Sequence, residues 1–211
     1  MLSVLTVLAF GYLVFFTSLL GVRSVEVHGA RSVPGDQILA AAAVPDLEPM
    51  LLLDTDEIAR RVTGIPGVAT VDVSRSWPST VEIAVTERAP IGFTAATDGF
   101  HLVDADGVDY KTVQNKPEGM PELQLATMSA DDAVTRSVVA VLDAVPQPLK
   151  GQITAVRAAT PGGVEFTVAD GKTVRWGDAS QAERKARVLA VLMTREGQTF
   201  DVISPELPTV S

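Results

Sequence analysis

Three groups of residues are of the types from which catalytic or metal chemistry is usually built. Asp104, Asp106 and Asp109 surround Gly107 in "DADGVD". A calcium loop of the EF-hand type would continue to a bidentate Glu at its twelfth position, here Asn115, and would lie between helices, whereas these flanks alternate as strands. Asp and Gly are also what a tight turn demands, so the stretch reads as a solvated hairpin turn. The two histidines, His28 and His101, are far apart, and neither lies in a nucleophile-elbow context such as G-x-S-x-G. Each reads as a half-exposed strand residue with nothing adjacent to tune its pKa. Asp131 and Asp132 precede a helix, where the macrodipole accounts for them. With 0 Cys, disulfides, thiol catalysis and Cys-ligated zinc are all excluded. The expectation is a protein with no catalytic residues, no cofactor and no metal site, hence not an enzyme.

If the function lies in surfaces, the elements that present them matter most. "VRSVEVHGA" alternates as a short strand ended by Gly29, and "SVPGDQILAAAAV" favours helix after Asp36. "LDTDEIARRV" places Asp54 three residues before Glu57, the spacing of a capping box, with Ile58 and Val62 on one apolar face. Two alternating runs in "DVSRSWPSTVEIAVTERAP" predict a hairpin with Trp77 and Pro78 in its loop, giving the order β-α-α-β-β. Beyond Ile91 the character changes: "IGFTA", "FHLVD" and "VDYK" predict a meander, then comes a helix capped by Ser129 with Val138, Val141 and Leu142 on its stripe. "QITAVRAA", "VEFTV" and "KTVRWG" predict three consecutive antiparallel strands, and Ser180 with Glu183 a second capping box. "TFDVIS" reads as a last short strand before a proline-broken tail. The class is α+β.

Residues 2–22 contain no Asp, Glu, Lys or Arg, a run long and apolar enough to cross a bilayer as an uncleaved transmembrane helix. The formal net charge of -9 therefore belongs wholly to the remainder, and that acidity without a basic stripe argues against nucleic acid as a partner. Arg23 alone would place the following residues in the cytoplasm by the positive-inside rule. The lack of polar residues ahead of the run leads to the expectation that a cytoplasmic leader is missing from this start.

The apolar run followed at once by "VRSVEVHGA", then "RSWPSTVEIAVTERAP", "HLVDADG", "TVRWGD" with "ERKARVL", and "FDVISPELPTVS" resembles, in order and spacing, the bacterial FtsQ/DivIB cell division family, actinobacterial branch. The resemblance implies a single transmembrane anchor (residues 1–22), a POTRA domain (23–90), an FtsQ-type β-domain with flanking helices (91–204) and a C-terminal tail (205–211). It implies a non-enzymatic divisome scaffold in the cell membrane at the septum, with both domains extracytoplasmic. Its partners would be FtsB-like and FtsL-like bitopic proteins and, through them, the septal peptidoglycan synthase. The other reading weighed is a membrane-anchored cell-wall enzyme, for which no residues are found. In the family the partner adds a strand along the last β-domain strand. Pro205 and Pro208 lack an N–H, so the usable edge here would be Phe200, Asp201, Val202, Ile203 and Ser204, with Trp176 as a further contact surface. Trp77 is expected in the core or at the domain seam, with a partner contact as the alternative.

Overall fold

The computed structural model describes residues 20–211, so most of the expected transmembrane helix lies outside the described residues. Among the described residues no helix is long and apolar enough to cross a membrane. The chain divides into two compact units, Met1–Arg88 and Ala89–Ser211.

The first unit holds β1 (Ser24–His28), α1 (Gly35–Ala42), α2 (Thr55–Thr63), β2 (Val68–Ser76) and β3 (Thr80–Glu87). Its sheet order is β1-β3-β2, with β1 parallel and β2 antiparallel to β3. Asp54 caps α2 as its spacing predicts, Oδ1 accepting from the Glu57 N–H at 2.9 Å. Ile58 and Val62, one turn apart, are thereby buried with Ile38 and Ala42 of α1 against Val81, Ile83 and Val85 of β3. Burying these aliphatic side chains contributes about 1.5–3 kcal/mol each before the entropy of ordering is counted. Leu20, Gly21 and Val22, assigned from the sequence to the anchor, join this unit. Val22 is a core residue, and Met50 N–H donates to Leu20 O at 3.0 Å. Trp77 is 52% exposed, outside the core, because it stands beyond Ser76 and Thr80, the last paired residues of the hairpin.

The second unit is a mixed nine-stranded sheet in the order β12-β11-β10-β9-β8-β7-β4-β5-β6. β4 (Pro90–Ala96), β5 (Gly99–Asp104) and β6 (Asp109–Val113) form the expected meander, and β8 (Ile153–Ala158), β9 (Val164–Val168) and β10 (Thr173–Gly177) the expected antiparallel trio. A three-residue strand, β7 (Glu122–Gln124), joins them by parallel pairing to both β4 and β8. α3 (Ala133–Ala144) buries Val138, Val141 and Leu142 with Phe166 and Trp176 of the sheet, and a short α4 (Gln147–Lys150) follows. α5 (Ala182–Leu192) connects β10 to β11 (Thr199–Asp201), which is why those two strands are parallel. β12 (Thr209–Val210) then closes the sheet.

Both helix caps expected in this unit are corrected. Asp132, not Ser129, caps α3, accepting from the Thr135 N–H at 2.8 Å. Ser180 does not cap α5, because its hydroxyl donates to the Asp178 carboxylate at 2.5 Å, a charged acceptor that outcompetes a helix N–H. Gln181, in a left-handed conformation, occupies the cap position without a side-chain bond.

Candidate functional site

The C-terminal edge differs from the sequence expectation in one respect that changes which residues it presents. β11 is not a rim strand. It pairs with β10 on one side and with β12 on the other, so the main chain of Phe200 and Asp201 is already used, and Phe200 and Val202 are buried. The tail prolines produce this arrangement: Pro205 and Pro208 turn the chain back, with Leu207 N–H bonded to Ser204 O at 3.0 Å. Ser211 then exchanges both main-chain bonds with Thr199, at 2.9 and 3.0 Å. In an antiparallel ladder that register turns Thr209 and Ser211 inward and leaves the Val210 N–H and C=O directed away from β11. Val210's side chain lies over Gly197, where a Cβ would stand 2.3 Å from its Cγ1, so a larger residue there would force β12 or the Val210 side chain to shift.

Ile203 and Leu207, 46% and 81% exposed, are the large apolar groups of the segment that joins β11 to β12. The segment is fixed rather than slack. Ile203 N–H donates to Asp201 Oδ1 at 3.0 Å, Val202 N–H to Arg175 O at 2.9 Å, and Arg184 of α5 pairs with Glu206 at 2.6 Å. Of the sequence-derived contact residues, Ile203 and Ser204 are exposed, Asp201 is half-buried and serves the turn, and Phe200 and Val202 face the core.

Trp176, expected as a contact surface, has its side chain in the core. Its indole is fully buried, 5.3 Å from the Phe166 ring centre, with the Lys185 ammonium 5.8 Å from its own centre. Lys185 is itself buried and donates to Asp178 O and Oδ1, both at 3.0 Å. The Ser180 hydroxyl and then Lys185 hold the Asp178 carboxyl down at about 2. Trp176 therefore acts from beneath, supporting the β10–α5 corner. Gly177, at φ +83, turns that corner, and Ile203 lies against it.

A family model described as "POTRA domain, FtsQ-type" matches residues 20–88, and one described as "Cell division protein FtsQ/DivIB, C-terminal" matches residues 94–206. The chain belongs to the FtsQ/DivIB family. Among FtsQ/DivIB relatives, the cell division protein FtsQ of Mycolicibacterium smegmatis is 40% identical over 210 residues, covering 100% of this chain and 62% of the relative. That of Mycobacteroides abscessus is 34% identical over 209 residues, 99% of this chain and 67% of the relative, and that of Streptomyces griseus 34% over 206 residues, 92% and 99%. The chain thus spans 62% of the length of the M. smegmatis relative. The second FtsQ/DivIB match takes in Ile203 and Glu206 and stops short of β12.

Two polar clusters in this FtsQ/DivIB chain escaped sequence reasoning. His101 is held between Asp109 (Nδ1 to Oδ2, 2.5 Å) and Asp98 (Nε2 to Oδ1, 2.8 Å), which raise its pKa above the ordinary value. The expectation of an untuned histidine is corrected, since the β5–β6 hairpin brings in Asp109 from eight residues away. The two ring nitrogens point to different carboxylates, so the group shares no centre for a cation, and among the described residues no cluster of three ligands exists. In the first unit, the Glu87 carboxylate accepts from the N–H groups of Arg31, Ser32 and Val33 and from the Ser32 hydroxyl. The "DADG" stretch forms a tight turn, with Asp104 accepting from the Asp106 and Val108 N–H groups.

Proposed function

We propose that this FtsQ/DivIB protein is a non-enzymatic divisome scaffold. It is anchored once in the cytoplasmic membrane by its first apolar run, with the POTRA and β units extracytoplasmic at the septum. It links FtsB-like and FtsL-like bitopic proteins and, through them, influences the septal peptidoglycan synthase. The observation that carries the reading is the outward-facing main chain of Val210, with Ile203 and Leu207 exposed on the segment that leads to it. A partner segment in extended conformation would add as a further strand, its main chain meeting Val210 and its apolar side chains meeting Ile203 and Leu207. Short length and nearby charge (Asp201, Glu206) keep such an edge from pairing indiscriminately.

The test is binding of an FtsB-like partner's extracytoplasmic segment to Val210→Pro and Leu207→Asp variants, beside thermal unfolding. Losing one partner-satisfied N–H costs about 1 kcal/mol, roughly fivefold in affinity. Weakened binding on an unchanged fold supports the reading, and unchanged binding by both variants overturns it. A reporter active only outside the cytoplasm, fused after Ser211, is expected to be active, and an inactive, well-expressed fusion would invert the topology.

A further inference from the structure

We propose that the loop between α1 and α2 is a membrane-contact surface, its leucines Leu47, Leu51 and Leu52 lying in the lipid interface beside the anchor. The proposal rests on the reading of residues 2–22 as a transmembrane anchor.

The sequence "PDLEPMLLLD" supplies more apolar side chains than the core accepts. Met50 and Leu53 point inward and are buried, whereas Leu47, Leu51 and Leu52 are 54%, 48% and 58% exposed. Three large apolar side chains exposed on one short loop are more than scattered surface leucines and point to an interaction site. Their backbone is built for this display. Leu47 holds φ at 61, a left-handed conformation rare for a leucine, and Leu52 N–H closes a turn on Pro49 O at 2.9 Å.

What covers the patch follows from where the chain arrives. Leu20, the first described residue, lies in the last turn's worth of residues of the apolar run, and the loop is stitched to it. Met50 N–H donates to Leu20 O at 3.0 Å, Val22 N–H to Glu48 O at 2.9 Å and Leu47 N–H to Val22 O at 2.9 Å, with a bridge between Gly21 and Pro49. The approach is so close that a Cβ on Gly21 would stand 2.6 Å from Leu47 O. A loop bonded to the last residues of a membrane anchor sits at bilayer height, and its outward leucines have lipid as their nearest apolar medium. Its charges, Asp46, Glu48 and the helix-capping Asp54, are all acidic, so the contact is apolar rather than polybasic and does not call for anionic lipid.

The absence of cysteine makes a clean test available. Single cysteines at Leu51, Leu52, Leu13 or Leu207 are labelled with an environment-sensitive fluorophore in the full chain, reconstituted in phosphatidylcholine vesicles. Quenching by acyl-chain-brominated phosphatidylcholine is compared with quenching by aqueous iodide, and thermal unfolding checks each variant's fold. The labels at Leu51 and Leu52 are expected to lose fluorescence to brominated lipid, resist iodide and ignore added salt, while Leu207 shows the reverse. Iodide-accessible labels at Leu51 and Leu52 beside a lipid-quenched Leu13 overturn the proposal and leave the anchor standing. Protection from both quenchers means that protein, a second copy included, covers the patch, which also overturns it. A water-exposed Leu13 label overturns the anchor reading and the inference together.

Discussion

Replacing Glu87 by Ala removes the group that ties the end of β3 to the loop after β1. The carboxylate receives three consecutive N–H groups, with Arg31 at 2.6 Å, Ser32 at 2.8 Å and Val33 at 2.9 Å, besides the Ser32 hydroxyl. That hydroxyl first, then the Val33 and Arg31 N–H groups, lower its pKa from 4.5 to about 2. At full value a fall from 4.5 to about 2 corresponds to about 3.4 kcal/mol. Glu87 is only half-buried, and water competes for every one of these bonds, which reduces the expected loss to about 1–1.5 kcal/mol. For a unit of this size each kcal/mol moves the melting midpoint by about 4–8 °C. Because the folded pKa is depressed, the contribution is present above the unfolded value, near 4.5, and is lost as pH falls towards 2. Wild type and Glu87→Ala should therefore differ at pH 7 and converge near pH 2. The assay is chemical unfolding across that range, with hydrogen exchange at Arg31, Ser32 and Val33 as the local readout. A gap that persists unchanged to pH 2, or amides equally protected in both proteins at pH 7, would refute the carboxylate's role.

His101 obeys the opposite sign: its pKa is raised by Asp109 and then Asp98, so its contribution is complete below about 6.5 and disappears as pH rises through the folded value. His101→Gln should match wild type at alkaline pH and fall below it in acid, and a ring titration midpoint by NMR that does not drop in Asp109→Asn would contradict this. Gly177→Ala forces a side chain into φ +83 with its Cβ 3.3 Å from Ile203, and should destabilise the second unit by about 1–2 kcal/mol in denaturant unfolding. Ile203→Pro deletes the N–H that Asp201 Oδ1 accepts, so it should loosen the β11–β12 turn by about 1 kcal/mol, read as faster exchange of the Leu207 amide. Intact exchange there would show that the turn does not depend on that bond.

Where a signal is local, the sequence carries it. Asp54 and Glu57 lie one turn apart and nothing intervenes, so their cap is legible. The same pattern at Ser180 fails because Asp178, two residues earlier, takes the hydroxyl. The burial of Trp176 was legible in principle: "TVRWG" alternates, which puts the indole on the same face as Val174, and both are buried. β12 was not legible, because Thr209 and Val210 are too few to show a period and two prolines ahead of them read as an ending. Their pairing is decided by distant partners, Thr199 for the ladder and Gly197 for the space. The His101 cluster is hidden for the same reason, its second carboxylate arriving through a hairpin register.

The parallel pairing of β1 with β3 has a mechanical consequence. Past Leu20–Val22 the chain enters the sheet of the first unit at the start of β1 and leaves it at the end of β3, and because the two strands run the same way these points lie at opposite ends of the ladder. Eight residues of β3 at about 3.3 Å each separate the two levels by roughly 26 Å. A pull between the segment before Ser24 and the segment after Glu87 runs along the strands and strains the pairs from Ser24↔Thr80 to His28↔Ala84 together, in shear. Antiparallel neighbours pulled from a shared end would instead unzip, each bond breaking in turn. Tension applied between the two ends of the first unit's sheet is thus resisted by the whole β1–β3 ladder at once.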